Sequence, residues 1–352
     1  MGDMAALKDR LDSGDMFGKI WAMPDHMLEG IRLALGADLH ELETETFHSV
    51  VISGMGGSAI GGDIARSYLS REIPIPMIVQ RHYRLPGFVN KRCLVIFSSY
   101  SGDTEETLSA YDDALSRGAN ILVITSGGKL GELAFSEHLP LVTIPGGLPP
   151  RAALGYSLAA LLTLMFRLGL CVAPMEDIKE AASIIRARLN DYSPENENNP
   201  ALSLAEKLHK TIPIIYAGQD NLDAIAARFK GQICENAKCL AFANVFPEFN
   251  HNELVGWGGL TDIEDDLSTV IIRDEQDHPR IRARMDIVGG YMKERGRRVV
   301  EVQVEKLPEL SRIFLLIQLT DFASYYLALL NGVDPTPVAA IDQLKKRLSE
   351  IR

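Results

Sequence analysis

Apolar positions along this chain repeat in two rhythms. Short β-branched runs alternate with longer stretches whose apolar residues recur at helical spacing. FHSVVISGMGGSAIGGDIARSYL reads as a strand, a glycine turn and a helix. CLVIFSSYSGDTEETLSAYDDALSRGANILVIT continues as strand, polar loop, helix and strand. The same order returns in TIPIIYAGQDNLDAIAARFKGQI and in STVIIRDEQDHPRIRARMDIVGGYMKERGRRVVEVQV, each final strand of the two halves being preceded by Arg-Gly. Strands alternating with helices build parallel βαβ units. Two such sets predict a duplicated α/β fold, two parallel-sheet αβα subdomains with helices on both sheet faces.

The remaining segments frame these halves. Residues 1–150 hold a mostly helical start and the first subdomain. Residues 151–200 form a helical linker: GGLPPRAALGYS is turn-rich, Leu154–Leu170 is apolar and helical, and YSPENENNP is a polar loop. Residues 201–307 hold the second subdomain, and 308–352 the C-terminal helices. The stretch 308–331 is apolar on more than one face, which predicts a helix packed between other elements. DPTP then breaks the chain before a short terminal helix over Val338–Ile351.

Composition narrows the function classes. The start, MGDMAALKDRLDSG, lacks a basic region followed by an apolar run, so a cytoplasmic location is expected. The longest apolar stretch, around Ile313–Leu330, is interrupted by Gln318, Thr320, Asp321 and Ser324, so no membrane span is expected. A net charge of −11 argues against a nucleic-acid partner. An acidic protein can still hold an anion through helix N-termini, backbone N–H groups or a few placed cations. Cys93, Cys171, Cys234 and Cys239 form no C-x-x-C pair, and the eight histidines are dispersed. His251-Asn252-Glu253 is an H-x-E match without an accompanying C-x-x-C, so no metal site is expected.

Two loops meet the condition for anion binding. In Gly54–Asp63, GMGGSAIGGD, a strand ends in glycines that open a helix. Its free N–H groups and partial positive charge suit a phosphate, approached through Gly56 and Gly57 with the Ser58 hydroxyl added. The loop also fits G-x-G-x-x-A, a dinucleotide fingerprint, which calls for an acidic residue roughly 20 positions on. The next strand ends in Gln80 and Arg81 instead, so an NADP reading would rest on Arg81. In Ser98–Thr107, SSYSGDTEET, the hydroxyls of Ser99, Ser101 and Thr104 precede a helix and could surround a small dianion, or could simply cap that helix. Asp103 adds negative charge there, so its carboxylate is expected to turn away or cap a helix. Loops on adjacent strands would face one crevice beyond the strand ends.

GGSAIGGD with SSYSGDTEET resembles the sugar isomerase (SIS) fold. Together with GLPPRAALGYS, the ICENAK and FPEFNHNELVGW region and the C-terminal IDQLKKRL, the chain resembles the bifunctional phosphoglucose/phosphomannose isomerases of archaea and bacteria over nearly its whole length. That resemblance implies an aldose-ketose isomerase acting on a phosphorylated hexose. It would interconvert glucose 6-phosphate, and mannose 6-phosphate, with fructose 6-phosphate, without a cofactor. Such chemistry needs a base to carry a proton between C2 and C1, an acid/base group for ring opening, a cation for the enediolate and an anchor for the phosphate.

The resemblance assigns candidates to these tasks. Glu235, on a predicted helix in KGQICENAK, is the base; partial burial moves a carboxylic acid towards neutrality, which suits proton transfer. Without the resemblance it would read as a paired surface glutamate. Arg151, stiffened by two preceding prolines, is the cation for the enediolate. His251 is the ring-opening group and would come from the neighbouring subunit, implying a homodimer with shared active sites; Glu248 and Glu253 flank it as possible orienting groups or competing bases. Lys345 assists ring opening, with Lys346 as the adjacent alternative. Thr336 is a possible small residue beside C2. Two other classes stay open: a non-catalytic phosphosugar sensor, which needs the loops but not the base, and an aminosugar-phosphate enzyme, which would need ammonia delivery.

Overall fold

The structure, a computed structural model, describes residues 4–259, 263 and 266–351. Helices α1 (Met4–Leu11), α2 (Met16–Trp21), α3 (Met23–Leu35) and α4 (His40–Glu43) come first. The first α/β unit runs β1 (Ser49–Ser53), α5 (Gly56–Leu69), β2 (Met77–Gln80), β3 (Cys93–Ser99), α6 (Glu105–Ser116), β4 (Asn120–Thr125), α7 (Gly128–Ser136) and β5 (Leu141–Thr143). A 3₁₀ turn at Pro150–Ala152 leads into α8 (Leu154–Arg167) and α9 (Met175–Ala187). The reading of the linker leaves α9 unassigned, although Ile178, Ala181, Ala182 and Ile185 form its buried stripe. Then come α10 (Pro200–Leu208), β6 (Ile212–Gly218), α11 (Asp223–Asn236), β7 (Phe242–Phe246), α12 (Glu253–Gly256), β8 (Leu267–Ile272), α13 (Pro279–Glu294) and β9 (Arg298–Val302). Helices α14 (Glu309–Leu330) and α15 (Ala339–Ser349) close the chain.

Both sheets are parallel throughout. The first has the order β2-β1-β3-β4-β5 and the second β7-β6-β8-β9. The first four strands of each unit therefore follow one plan, which the repeated sequence pattern predicts except for β7, a strand it leaves unread. Every residue of β1 and β3 is buried. Their unbroken apolar runs are what a strand covered on both faces requires. In each sheet the strand order reverses beside its first strand, between β1 and β3 and between β6 and β8. Crevices at the carboxyl ends of strands flanking such a switch point are where α/β sheets take ligands.

Helix α14 packs against α9, α10 and α11. It is long and apolar enough to cross a membrane, yet nearly all of it is buried inside the fold. That explains apolar residues on more than one of its faces. Its buried polar groups include Arg312, Gln318, Asp321 and Ser324, of which Arg312 pairs with Asp274 and Asp321 with Arg228. Helix α15 is the opposite case: none of its residues is buried.

Candidate active site

A cleft of about 570 Å³ opens where the N-terminus of α5 faces α11. Gly56, Gly57, Arg151 and Glu235 all line it. The approach that assembles them is steric. A Cβ on Gly57 would stand 3.1 Å from the Arg151 nitrogen and from the Pro150 carbonyl. Glycine there lets the Pro150–Ala152 turn settle on the start of α5, carrying Arg151 to the glycine loop. The cleft is lined by five cationic side chains (Arg66, Arg81, Arg151, Arg228, Lys230) and three acidic ones (Asp63, Asp223, Glu235), a local excess of positive charge on an acidic protein.

Arg151 is 3% exposed and almost fully committed. Its Nε donates to Asn236 Oδ1 at 2.6 Å, and its Nη2 donates to the carbonyls of Pro335 (2.8 Å) and Thr336 (2.9 Å). Only Nη1 turns to the cleft, where it donates to Glu235 Oε2 at 3.3 Å. Burial pulls the Arg151 guanidinium below its ordinary range, and the Glu235 carboxylate pushes it back up. Glu235 is partly exposed, its side chain reaching solvent in the cleft. Thr336 thus meets the site through its carbonyl.

The second loop lies beside the first, because β1 and β3 are neighbours. Ser58 Oγ accepts from the Tyr100 N–H at 3.0 Å and ties the two loops together. Ser99 is buried and its hydroxyl donates to Thr104 Oγ1 at 3.3 Å; Ser101 is exposed. None of Ser58, Ser99, Ser101 and Thr104 is among the residues lining the cleft. Asp103 accepts from the Lys129 N–H at 2.9 Å, so it caps α7 on the next strand's loop rather than its own helix α6. Arg81, on which an NADP reading would rest, is paired with Asp63.

His251 is exposed at the end of a 3₁₀ turn, Glu248–His251, and does not line the cleft. Its flanking acids are engaged locally. Glu248 accepts from Asn252 Nδ2 at 2.8 Å. Glu253 accepts from the Tyr216 hydroxyl through one oxygen and from Asn244 Nδ2 at 2.6 Å through the other. Trp257 Nε1 also donates to the Tyr216 hydroxyl, at 2.9 Å. Glu253 therefore pins the His251 loop to β6 and β7. Lys345 and Lys346 are exposed on α15 and likewise stand outside the cleft.

The switch point of the second sheet differs from that of the first. A Cβ on Gly218 would come within 2.3 Å of Asp277 Oδ1. That carboxylate accepts from Asn221 Nδ2 at 2.8 Å and from the Asp274 N–H at 3.0 Å. The position matching the first sheet's glycine loop is thus occupied by an acid, which repels an anion.

Known proteins share this chain's sequence and fold. Residues 197–348 match the family described as "Bacterial phospho-glucose isomerase C-terminal SIS domain". The bifunctional phosphoglucose/phosphomannose isomerase of Caldicellulosiruptor bescii is 44% identical over 96% of this chain and 100% of its own. The chain belongs to the bifunctional phosphoglucose/phosphomannose isomerase family. The Aquifex aeolicus protein of the same name is 35% identical over 86% of this chain and 91% of its own. Among solved structures, the C-terminal domain of glucosamine-fructose-6-phosphate aminotransferase from Francisella tularensis superposes with a TM-score of 0.73 at 16% identity. That match covers 92% of this chain and 98% of the other, so the duplicated SIS fold is common to both.

Several residues in and behind the cleft of this family member escape the sequence reading. Arg228, Gln232 and Asn236 are buried on α11, and Asp321 is buried on α14. Their one sequence signal is polar residues spaced by four on a buried helix. Lys238 is another. It holds a left-handed backbone (φ 52°), and its ammonium donates to the carbonyls of Glu235 (2.5 Å) and Pro335 (3.2 Å). Burial, and then the Arg151 charge, pull its pKa down.

Proposed function

We propose that the chain interconverts glucose 6-phosphate and mannose 6-phosphate with fructose 6-phosphate by proton transfer through an enediol. The observation that carries this reading is the pairing of Glu235 with Arg151 Nη1 in a cleft floored by the phosphate loop. A phosphosugar sensor needs the loops but has no use for a carboxylate set against the one guanidinium nitrogen left facing the cleft.

In this reading the substrate phosphate sits at the N-terminus of α5, on the Gly56 and Gly57 backbone, with Ser58, Ser99, Ser101 and Thr104 shaping the loops around it. The sugar then extends towards Glu235. Its carboxylate takes the C2 proton and returns it to C1. Negative charge grows on the enediolate oxygen, and Arg151 Nη1 is the donor placed to stabilise it. Because the other Arg151 donors are bound to protein, the guanidinium does not reorganise during the reaction. His251 and Lys345 would open the ring. They lie outside the cleft of their own chain, which supports a homodimer in which a second copy completes the site, His251 crossing over. Helix α15 supports this too: it leaves Ile341, Leu344 and Leu348 exposed, as a face awaiting a partner would.

The test is to incubate EDTA-treated protein with fructose 6-phosphate and quantify glucose 6-phosphate and mannose 6-phosphate separately. Both products are expected. Glu235→Gln should bind the sugar phosphate but turn it over about 10²–10⁴-fold more slowly. Glucose 6-phosphate alone would restrict the activity to one epimer. Binding without either product would overturn the reading in favour of a sensor, and near-normal turnover by Glu235→Gln would remove Glu235 as the base.

A further inference from the structure

We propose that Asp321 and Ser324, buried on α14, are positioning residues that aim Arg151 at Glu235 through one face of α11. The inference rests on the isomerase reading above, in which Arg151 and Glu235 do the chemistry.

Arg228, Gln232 and Asn236 are spaced by four, so they share one face of α11. All three are less than 5% exposed. They meet Asp321 and Ser324, one turn apart on α14. Asp321 Oδ1 accepts from Arg228 Nε at 3.1 Å and Gln232 Nε2 at 2.8 Å, and Oδ2 accepts from Arg228 Nη2 at 2.5 Å. Ser324 Oγ accepts from Asn236 Nδ2 at 2.9 Å and donates to the Asp321 carbonyl at 2.7 Å. The two ends of this ladder each hold Arg151. Arg228 Nη2 donates to its carbonyl at 2.9 Å, and Asn236 Oδ1 accepts from its Nε at 2.6 Å.

Two helices can pack perfectly well through apolar side chains, and a buried ion pair is an inefficient source of stability. What the ladder does supply is orientation. It fixes the Asn236 amide with its oxygen towards Arg151, because the amide nitrogen is spent on Ser324. That sets the Nε edge of the guanidinium and leaves Nη1 facing Glu235. Polar atoms that hold a reacting group act on turnover, since a shift of about 1 Å at a reacting group can cost on the order of 100-fold.

The experiment compares full-length wild type, Asp321→Asn, Ser324→Ala, Arg151→Lys and Glu235→Gln, each assayed with fructose 6-phosphate, with thermal melts reporting the folded fraction. Asp321→Asn keeps the shape but removes the charge; Ser324→Ala removes one hydroxyl and decides the matter should Asp321→Asn not fold. The expected result is kcat lower by about 10–100-fold in the folded variant, with KM within about two-fold of wild type. A folded Ser324→Ala protein with wild-type kcat, or activity lost only in proportion to unfolded protein, would overturn the ladder. If Arg151→Lys and Glu235→Gln also retain full turnover, the underlying isomerase assignment of that pair falls instead.

Discussion

His26 concentrates in one side chain what burial does to a titratable group. It lies on α3, is 6% exposed, and stacks on Tyr156 with ring centroids 4.2 Å apart. Its Nδ1 is buried without a hydrogen-bond partner. Burial lowers its pKa below the ordinary 6.5, against the opposing pull of Asp25 and the Ala152 carbonyl. The folded protein thus prefers the neutral ring, whereas the unfolded chain takes up a proton near pH 6.5. The resulting stability is fully present above that pH and is lost as pH falls towards the folded-state value. Melting temperatures between pH 7.5 and 5.5 should therefore fall more steeply for wild type than for His26→Gln. Parallel curves for the two proteins would show that His26 contributes nothing in this window. The Arg228–Asp321 pair follows the other branch of the same physics. Burial pushes the Asp321 carboxyl up and Arg228 draws it down. Removing one partner of such a pair costs about 3–5 kcal/mol, because the other charge is left buried alone.

Among the elements, the contact of α3 with α8 depends on glycine. A Cβ on Gly30 would stand 2.6 Å from the Tyr156 carbonyl oxygen, and one on Gly155 would stand 2.9 Å from the His26 Cβ. Two effects compete in Gly30→Ala. Helix propensity favours alanine by about 1 kcal/mol. Overpacking against a backbone atom costs about 1–3 kcal/mol. The clash is with backbone, which cannot swing aside, so net destabilisation is expected in a urea melt. Gly290 on α13 is the control, since a Cβ there meets nothing within 4 Å. Gly290→Ala should stabilise by about 0.5–1 kcal/mol. Equal responses from the two variants would contradict this account of α3–α8 packing. Strands β1 to β4, β6, β8 and β9 were legible in the sequence because each is a local β-branched or apolar run bounded by turn residues, whereas β5 and β7, short edge strands of their sheets, were not read. Helix α9 was not read, because its short stripe of Ile and Ala sits in a segment otherwise rich in turn formers.

For the molecule as a whole, the shared-site dimer makes a quantitative claim. If Glu235 of one copy works with His251 of the other, a hybrid of Glu235→Gln and His251→Ala subunits contains one intact site and one doubly damaged site. Random reassortment of equal amounts in a two-fold dimer would then restore about a quarter of wild-type sites. Mixing the inactive variants after mild dissociation, and assaying fructose 6-phosphate turnover, measures this directly. No recovery beyond the sum of the two variants alone would mean that each chain builds its site by itself.

Sequence alone determined the parallel α/β architecture, its duplication, the two loops at the first switch point and the identity of Arg151 and Glu235 as candidates. Those features are local, or are carried by motifs that resemble a family. Tertiary structure alone decided that Arg151 and Glu235, 84 residues apart, meet at 3.3 Å. It also decided that Asp277 fills the second switch point, and that α14 presents Asp321 and Ser324 to the buried face of α11. Periodicity says which side of an element is buried. It does not say which buried side meets which, because that depends on how separate layers stack, and there a single polar contact is decided by the packing of both units at once.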